Sequence, residues 1–229
     1  MVGAVITAAG LNSRMRNDLE NLNLPIKNKL TLPLIDNKKT ILECTIDNVL
    51  NAGINNIILV LGHYMEEIID SLSNYYLSKV EIVENKPHDV GLSKSLYNGL
   101  RNISKDYVLC VSGDQPTVSD ITYKNILKTL YDSPNIDNTI SFLRRREYGK
   151  LDTALGLGMP FALNKNIILP YVSNVDDNLN PILRKIFASG VDFYGVKEEF
   201  GLELVNINHY DDFKYVFEKI DLNNYNFRL

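Results

Sequence analysis

Three groups of residues in this chain have the types and spacing to do chemistry, and the first lies in residues 4–15. There an apolar run ends in Ala8, Ala9 and Gly10, after which Ser13 and Arg14 supply a hydroxyl and a guanidinium. Small side chains let the backbone approach a bulky anion, and Gly10 can take a positive φ without strain. That combination suits nucleotide phosphates, with a plain turn after a first strand as the competing reading. The second group is Ser112-Gly113-Asp114-Gln115-Pro116. It follows an apolar run, so Asp114 is expected to emerge at a strand end as a carboxylate for Mg²⁺, against the alternative of an ordinary Asp-containing turn. The third, Gly91-Leu92-Ser93-Lys94-Ser95-Leu96, opens an amphipathic stretch. Ser93 reads as a helix N-cap, which leaves Ser95 without a structural duty and available to a polar ligand.

The elements that must position these residues alternate. Apolar runs at 2–7, 56–62, 79–83 and 107–112 read as strands, and amphipathic stretches at 40–52, 64–76, 92–102 and 119–131 read as helices. Continuous β-branched and leucine runs such as Asn56–Gly62 suit strands buried on both faces. The pattern predicts an α/β fold, a three-layer α/β/α sandwich with a mostly parallel, Rossmann-like nucleotide-binding sheet. The second half is less regular: a short run at 138–143, a Gly-interrupted run at 154–163 read as a kinked strand or ligand-site loop, a helix at 178–189, strands at 191–196 and 203–207, and a closing helix at 210–220. In such sheets ligands bind beyond the carboxyl ends of the strands, where both the 8–15 loop and the segment after Val111 fall.

Composition narrows the classes. With 229 residues and 45% hydrophobic content, the chain can bury roughly 70–75% of its unfolded surface. We expect a single domain over 1–229, with 1–116 as the nucleotide-binding half and 117–229 as the acceptor-binding half. A net charge of −4 argues against a broad nucleic-acid interface. No apolar run approaches the ~20 residues of a bilayer span, and a cytoplasmic location without a membrane partner is expected. Cys44 and Cys110 sit in apolar segments and read as buried free thiols. His63, His88 and His209 are scattered, without the spacing of a zinc site.

The ordered motifs carry a resemblance. Ala8-Ala9-Gly10 with Ser13-Arg14-Met15, then Lys29-Leu30-Thr31-Leu32-Pro33 leading to Thr40-Ile41-Leu42, then Gly91-Leu92-Ser93-x-Ser95-Leu96, then Gly113-Asp114-Gln115-Pro116 resemble the molybdopterin nucleotidyltransferase-like family, closest to its molybdenum cofactor cytidylyltransferase branch. Val205-Asn206-Ile207-Asn208 resembles that family's closing signature. The resemblance implies transfer of a nucleoside monophosphate from an NTP, CTP favoured over GTP, to a phosphorylated acceptor such as molybdopterin, with release of pyrophosphate. It implies that Ala8, Ala9, Gly10, Ser13 and Ser95 bind nucleotide, that Arg14 and Lys29 are catalytic, that Asp114 and Asn206 hold Mg²⁺, and that Asn208 contacts acceptor. The family has Gly where Arg16 stands and its lysine nearer the loop, so Lys27 competes with Lys29 across the polar stretch 17–28. A sugar- or polyol-phosphate nucleotidyltransferase is the alternative enzyme, and a non-catalytic nucleotide-binding module is the alternative of another class. Arg144-Arg145-Arg146 with Lys150 reads as a solvated surface run, the other reading being a grip for an acceptor phosphate. Tyr75, Tyr76 and Tyr225 read as packing edges.

Overall fold

The computed structural model describes residues 2–35 and 38–222; Tyr225 lies outside them. In chain order the elements are β1 (Gly3–Thr7), α1 (Ser13–Asn21), β2 (Pro33–Ile35), β3 (Lys39–Thr40), α2 (Ile41–Asn51), β4 (Ile57–Leu61), α3 (Met65–Ser71), α4 (Asn74–Leu77) and β5 (Glu81–Glu84). They continue as α5 (Leu92–Asn102), β6 (Tyr107–Ser112), α6 (Asp120–Tyr131), β7 (Thr139–Arg144), β8 (Gly149–Lys150), β9 (Phe161–Asn164), α7 (Lys165–Val172), α8 (Leu179–Ala188), β10 (Asp192–Lys197) and α9 (Tyr210–Leu222).

Eight strands form one sheet in the order β5-β4-β1-β6-β9-β7-β10-β8. β1 pairs in parallel with both β4 and β6, β4 with β5, and β7 with β10, whereas β9 is antiparallel to β6 and β7. The chain therefore leaves β1 toward β4 on one side and returns to β6 on the other, which opens a crevice beyond the carboxyl ends of β1 and β6. Every residue of β1 and β4 is buried, because helices cover both faces. Ala4 and Ile6 join the core under α2, α6 and α9, while Val5 faces the core under α5, α7 and α8. This is the three-layer α/β/α arrangement of a mostly parallel sheet.

Several boundaries differ from the sequence expectation for physical reasons. The helix expected over 64–76 breaks into α3 and α4, because Leu72 is extended and the Ser73 N–H donates to Glu43 Oε1 at 3.1 Å. Glu43 is already fixed by the capping box that starts α2, where its Oε2 accepts from the Thr40 N–H at 2.9 Å. The first part of the polar stretch after Met15, through Asn21, belongs to α1, a helix held by burial of Met15 and Leu19 at i,i+4 spacing. In the Gly-interrupted run only Phe161–Asn164 is strand. The strand expected at 203–207 is absent: Gly201–Leu204 is a 3₁₀ turn. Glu203, fully buried, accepts from the Ser119 and Glu199 N–H groups at 3.0 Å each and from the Thr122 hydroxyl at 2.6 Å. That anchor draws the chain onto α6, and β8 takes the position beside β10.

Cys44 and Cys110 are buried free thiols; burial, mainly, raises the Cys44 thiol to about 12 and the Cys110 thiol above its ordinary range. Tyr76 is a packing residue whose hydroxyl donates to Asp47 at 2.8 Å. No helix among the described residues is long and apolar enough to cross a membrane.

Close contact between α5 and the sheet depends on Gly99. A Cβ there would stand 2.4 Å from Val5 Cγ1 and 2.8 Å from Val60 Cγ2. Overpacking costs about 1–3 kcal/mol, which exceeds the gain of about 1 kcal/mol from replacing a helical glycine by alanine. Gly99→Ala is therefore expected to lower the urea midpoint; an unchanged midpoint would mean that α5 can ride off the sheet at no cost.

Candidate active site

The loop after β1 is held at both sides by its neighbours. The Ala8 N–H donates to the Val60 carbonyl and the Gly113 N–H to the Thr7 carbonyl, each at 2.9 Å. Gly113 eases the close approach, since a Cβ there would lie 3.3 Å from that of Ala8. Ala8 and Ala9 are buried and Gly10 is exposed. The left-handed residue of this loop is Asn12, with φ 56°, not Gly10. Asn12 tolerates that region better than most residues, and its side chain works as a clasp. Its Nδ2 donates to the Lys27 carbonyl at 2.9 Å, and its Oδ1 accepts from the Lys29 N–H at 3.3 Å.

That clasp separates the two lysines. Lys27 is exposed, whereas the Lys29 ammonium donates to Asp114 Oδ2 at 2.5 Å, to the Ile207 carbonyl at 2.7 Å and to Asn208 Oδ1 at 3.3 Å. All three of its protons are thus engaged. Asp114 Oδ1 accepts from the Ser112 hydroxyl at 2.6 Å, and Asn208 Oδ1 also accepts from Arg14 Nη2 at 2.9 Å. The side chains of Lys29 and Asp114 keep 15% and 14% of their exposure, so the pair is accessible yet partly shielded from water.

These groups line a cleft of about 350 Å³ together with Ala8, Ala9, Gly10, Ser13 and Ser95. Ser13 is the first residue of α1, so the unpaired N–H groups of that helix start at the cleft, where they favour an anion. Ser95 is less free than the sequence suggested. Its hydroxyl donates to the Gly91 carbonyl at 3.1 Å and accepts from Asn85 Nδ2 at 2.9 Å. Ser93 caps nothing: α5 begins after Gly91, and the Ser93 hydroxyl donates to the Val175 carbonyl at 2.9 Å.

Nine of the ten site residues singled out from sequence meet in this cleft, Lys29 and Asp114 among them, but Asn206 does not line it. Its Oδ1 accepts from Gln115 Nε2 at 2.8 Å, and it borders a second cavity; Asn208 is the amide beside Lys29 and Asp114. Sequence reasoning gave no role to Asn12, Ser112 or the start of α1. An Asn inside a Gly-containing turn, two residues before a cationic side chain, was the available signal. No group of three His, Cys, Asp or Glu side chains capable of caging a metal occurs among the described residues. The donor set, one carboxylate with a hydroxyl and an amide, fits a Mg²⁺ that draws its remaining oxygens from phosphates and water.

Behind the cleft, Asp18 Oδ2 accepts from the Tyr210 N–H and pairs with His209 Nδ1, both at 3.0 Å. Asp212 Oδ2 accepts from the Asn208 N–H at 2.9 Å. Together these carboxylates fix the approach to α9 and, through it, Asn208.

Three comparisons bear on this geometry. Residues 4–151 match the family model described as the MobA-like NTP transferase domain. Over 128 residues, 56% of this chain, the sequence is 30% identical to the bifunctional protein GlmU of Aquifex aeolicus (strain VF5); the chain spans about a quarter of the length of the curated relatives it matches. Among solved structures, a nucleotidyl transferase from Methanothermobacter thermautotroptrophicus is 39% identical and superposes with a TM-score of 0.88 over 98% of this chain and 99% of that one. The 4-diphosphocytidyl-2C-methyl-D-erythritolsynthase of Anaerococcus prevotii, 18% identical, shares the fold with a TM-score of 0.67 over 96% of this chain and 98% of that one.

The Asp18 clasp has a pH signature. The Tyr210 N–H, helped by His209, holds the Asp18 carboxyl below its ordinary range. Its contribution is complete above the unfolded carboxylate pKa of about 4 and is lost as acid takes the pH down through the lowered folded value. Asp18→Asn is expected to lower the amide-exchange protection factor at Tyr210, corrected for the intrinsic rate, at neutral pH, as acidification through the Asp18 pKa does in the wild type. Unchanged protection would show that packing alone holds α9.

Proposed function

This chain belongs to the MobA-like NTP transferase domain family, and we propose that it is a Mg²⁺-dependent nucleotidyltransferase that moves CMP from CTP to a phosphorylated acceptor of the molybdopterin type, releasing pyrophosphate. The observation that carries the reading is the meeting of Lys29, Asp114, Asn208 and Arg14 at the mouth of the glycine loop. The choice of CTP and of molybdopterin rests on the Gly91–Leu96 and Gly113–Pro116 motifs and their resemblance to the cytidylyltransferase branch.

An acceptor phosphate oxygen attacks the α-phosphorus, a new P–O bond forms, and the bond to the bridging oxygen breaks with its electron pair leaving on pyrophosphate. Nucleophile and electrophile are both anionic, so the protein's task is to neutralise and align rather than to supply a base. Lys29 and Arg14 bring two positive charges to the triphosphate, and Asn208, bonded to both, keeps them in register. The first N–H groups of α1 add donors for phosphate oxygens. Ala8, Ala9 and Gly10 leave a low wall along which nucleoside can lie. Ser95, fixed by Asn85 and Gly91, shapes the wall beside it. Asp114 with Ser112 is the place for Mg²⁺, which would draw charge from the departing pyrophosphate. Arg16, which stands where the family has Gly, pairs with Glu20 at 2.9 Å on α1 and does not line the cleft.

Incubation with each NTP, Mg²⁺ and molybdopterin is expected to release pyrophosphate fastest with CTP. Release only with a phosphorylated sugar or polyol would replace the acceptor, and no release with any NTP and either acceptor class would sink the reading. Lys29→Ala and Asp114→Ala should each lower kcat/KM about 10²–10³-fold, the scale for losing one group that stabilises transition-state charge. Lys27→Ala should leave the rate near the wild type; the reverse order would transfer the role to Lys27.

A further inference from the structure

Part of the nucleotide cleft is lined by residues that the chemistry above leaves unused. Val90 and Leu92 stand at the start of α5 beside Ser95, and Asn178 comes from the segment that joins α7 to α8. We propose that Asn178 is a further nucleotide-binding residue, whose side-chain amide holds the nucleoside of the NTP while Lys29 and Arg14 hold its phosphates. The proposal deepens the nucleotidyl-transfer reading and rests on it.

Asn178 reaches the cleft from a distant part of the sequence because Ser93 staples its segment to α5. The fully buried Ser93 donates from its hydroxyl to the Val175 carbonyl at 2.9 Å and accepts from the Asp177 N–H at 2.8 Å. Its own N–H donates to the Asp177 carbonyl at 3.0 Å, and the Gly91 N–H donates to Asp176 Oδ1. A Cβ at Gly91 would stand 2.6 Å from that carboxylate oxygen and 3.1 Å from the Asp177 nitrogen. The bare glycine therefore lets residues 175–178 close onto the start of α5, and the glycine and first serine of the Gly91–Leu96 motif have a duty that is not capping.

The amide so placed is idle. Asn178 is the N-cap of α8, where an asparagine ordinarily accepts from an N–H of the first helical turn, yet its side chain makes no capping bond. Only its backbone N–H is engaged, by Asp177 Oδ1 at 2.6 Å, and its side chain is paired with no other described residue. An exposed amide with a donor and an acceptor to spare thus lines a ligand cleft.

Charge decides which part of an NTP it meets. Lys29 and Asp114 stand on the β6 side of β1, whereas residues 90–95 follow β5, which lies on the other side. The cations and the start of α1 draw the triphosphate to the first of these ends. At the second, the exposed carboxylates of Asp176 and Asp177 flank Asn178, and neither is paired with a cation among the described residues. The nearby Lys86 and His88 are both spent on Glu84, at 2.9 and 2.8 Å. Phosphate is repelled from that end and an uncharged nucleoside is not. Val90 and Leu92 offer it apolar surface, and the amide supplies the polar contact that fixes orientation. Asn178 also lies outside residues 4–151, the part matched by the family model, so this contact is one that the shared motifs do not carry.

The test measures the affinity of the full chain for the four NTPs and for inorganic tripolyphosphate, each with Mg²⁺, by isothermal titration calorimetry. Asn178→Ala should weaken the NTP bound best by about three- to tenfold, the scale of one lost neutral hydrogen bond, and leave tripolyphosphate affinity and the thermal midpoint at their wild-type values. Ser93→Ala, which frees the segment, should weaken the same NTP and spare tripolyphosphate. In S93A/N178A the loss should be smaller than the product of the single losses, because both substitutions act through one side chain; full additivity would overturn the stapling role. Wild-type NTP affinity in N178A, or equal weakening of NTP and tripolyphosphate, overturns the proposal and leaves the nucleotidyl-transfer reading standing. Wild-type protein that binds tripolyphosphate but none of the four NTPs overturns both.

Discussion

The Lys29 ammonium is the point through which distant parts of the chain are held together. It reaches a carboxylate at the end of β6 and a carbonyl and an amide in the segment before α9. A cation in a half-shielded cleft needs such partners, because burying it unpaired would cost several kcal/mol. The same contacts keep Asp114 from standing alone beside the Ser112 hydroxyl. A site assembled from residues 29, 114 and 207–208 thus owes its geometry to one charge, and the helices behind it supply rigidity.

The sheet converts that charge into a place for chemistry. β1 and β6 are adjacent and parallel, so the loops leaving them emerge side by side at one end of the sheet. The continuation of the sheet through β9, which runs antiparallel to both β6 and β7, brings the arginine turn that follows β7 to that same end. A purely parallel continuation would have required a crossover helix between β7 and the strand beside β6.

How legible this was in sequence depended on how local the cause was. The doubly buried strands announced themselves through continuous apolar runs, and the Thr40–Glu43 capping box fixed the start of α2. Phosphate-type loop, strand-end carboxylate and helix-start serines were visible as residue types at a spacing. What was not visible came from contacts between segments far apart. Asn12 takes the left-handed conformation expected of Gly10 because its side chain can tie down residues 27 and 29. Glu203 pulls an apolar run off the sheet because α6 offers it a buried set of donors. Ser95 had no duty in a linear reading, yet Asn85 supplies one. Lys27 and Lys29 differ by two positions and by the whole width of a chain crossing, which no pattern in the sequence states.

Both margins of the sheet are guarded, and this has a consequence for life at high concentration. At one margin β5 is four residues long and carries Glu81 and Glu84 at its ends, with Lys86 and His88 holding the Glu84 carboxyl below its ordinary range. At the other, β8 contributes only Gly149 and Lys150, and Lys150 pairs with Asp192 at 2.7 Å. An unpaired strand is an invitation to another copy of the same chain, and short length with charge withdraws it. The small two-residue strand that finishes the arginine turn therefore also closes the sheet to its neighbours, so that crowded molecules meet as charged surfaces and not as complementary backbones.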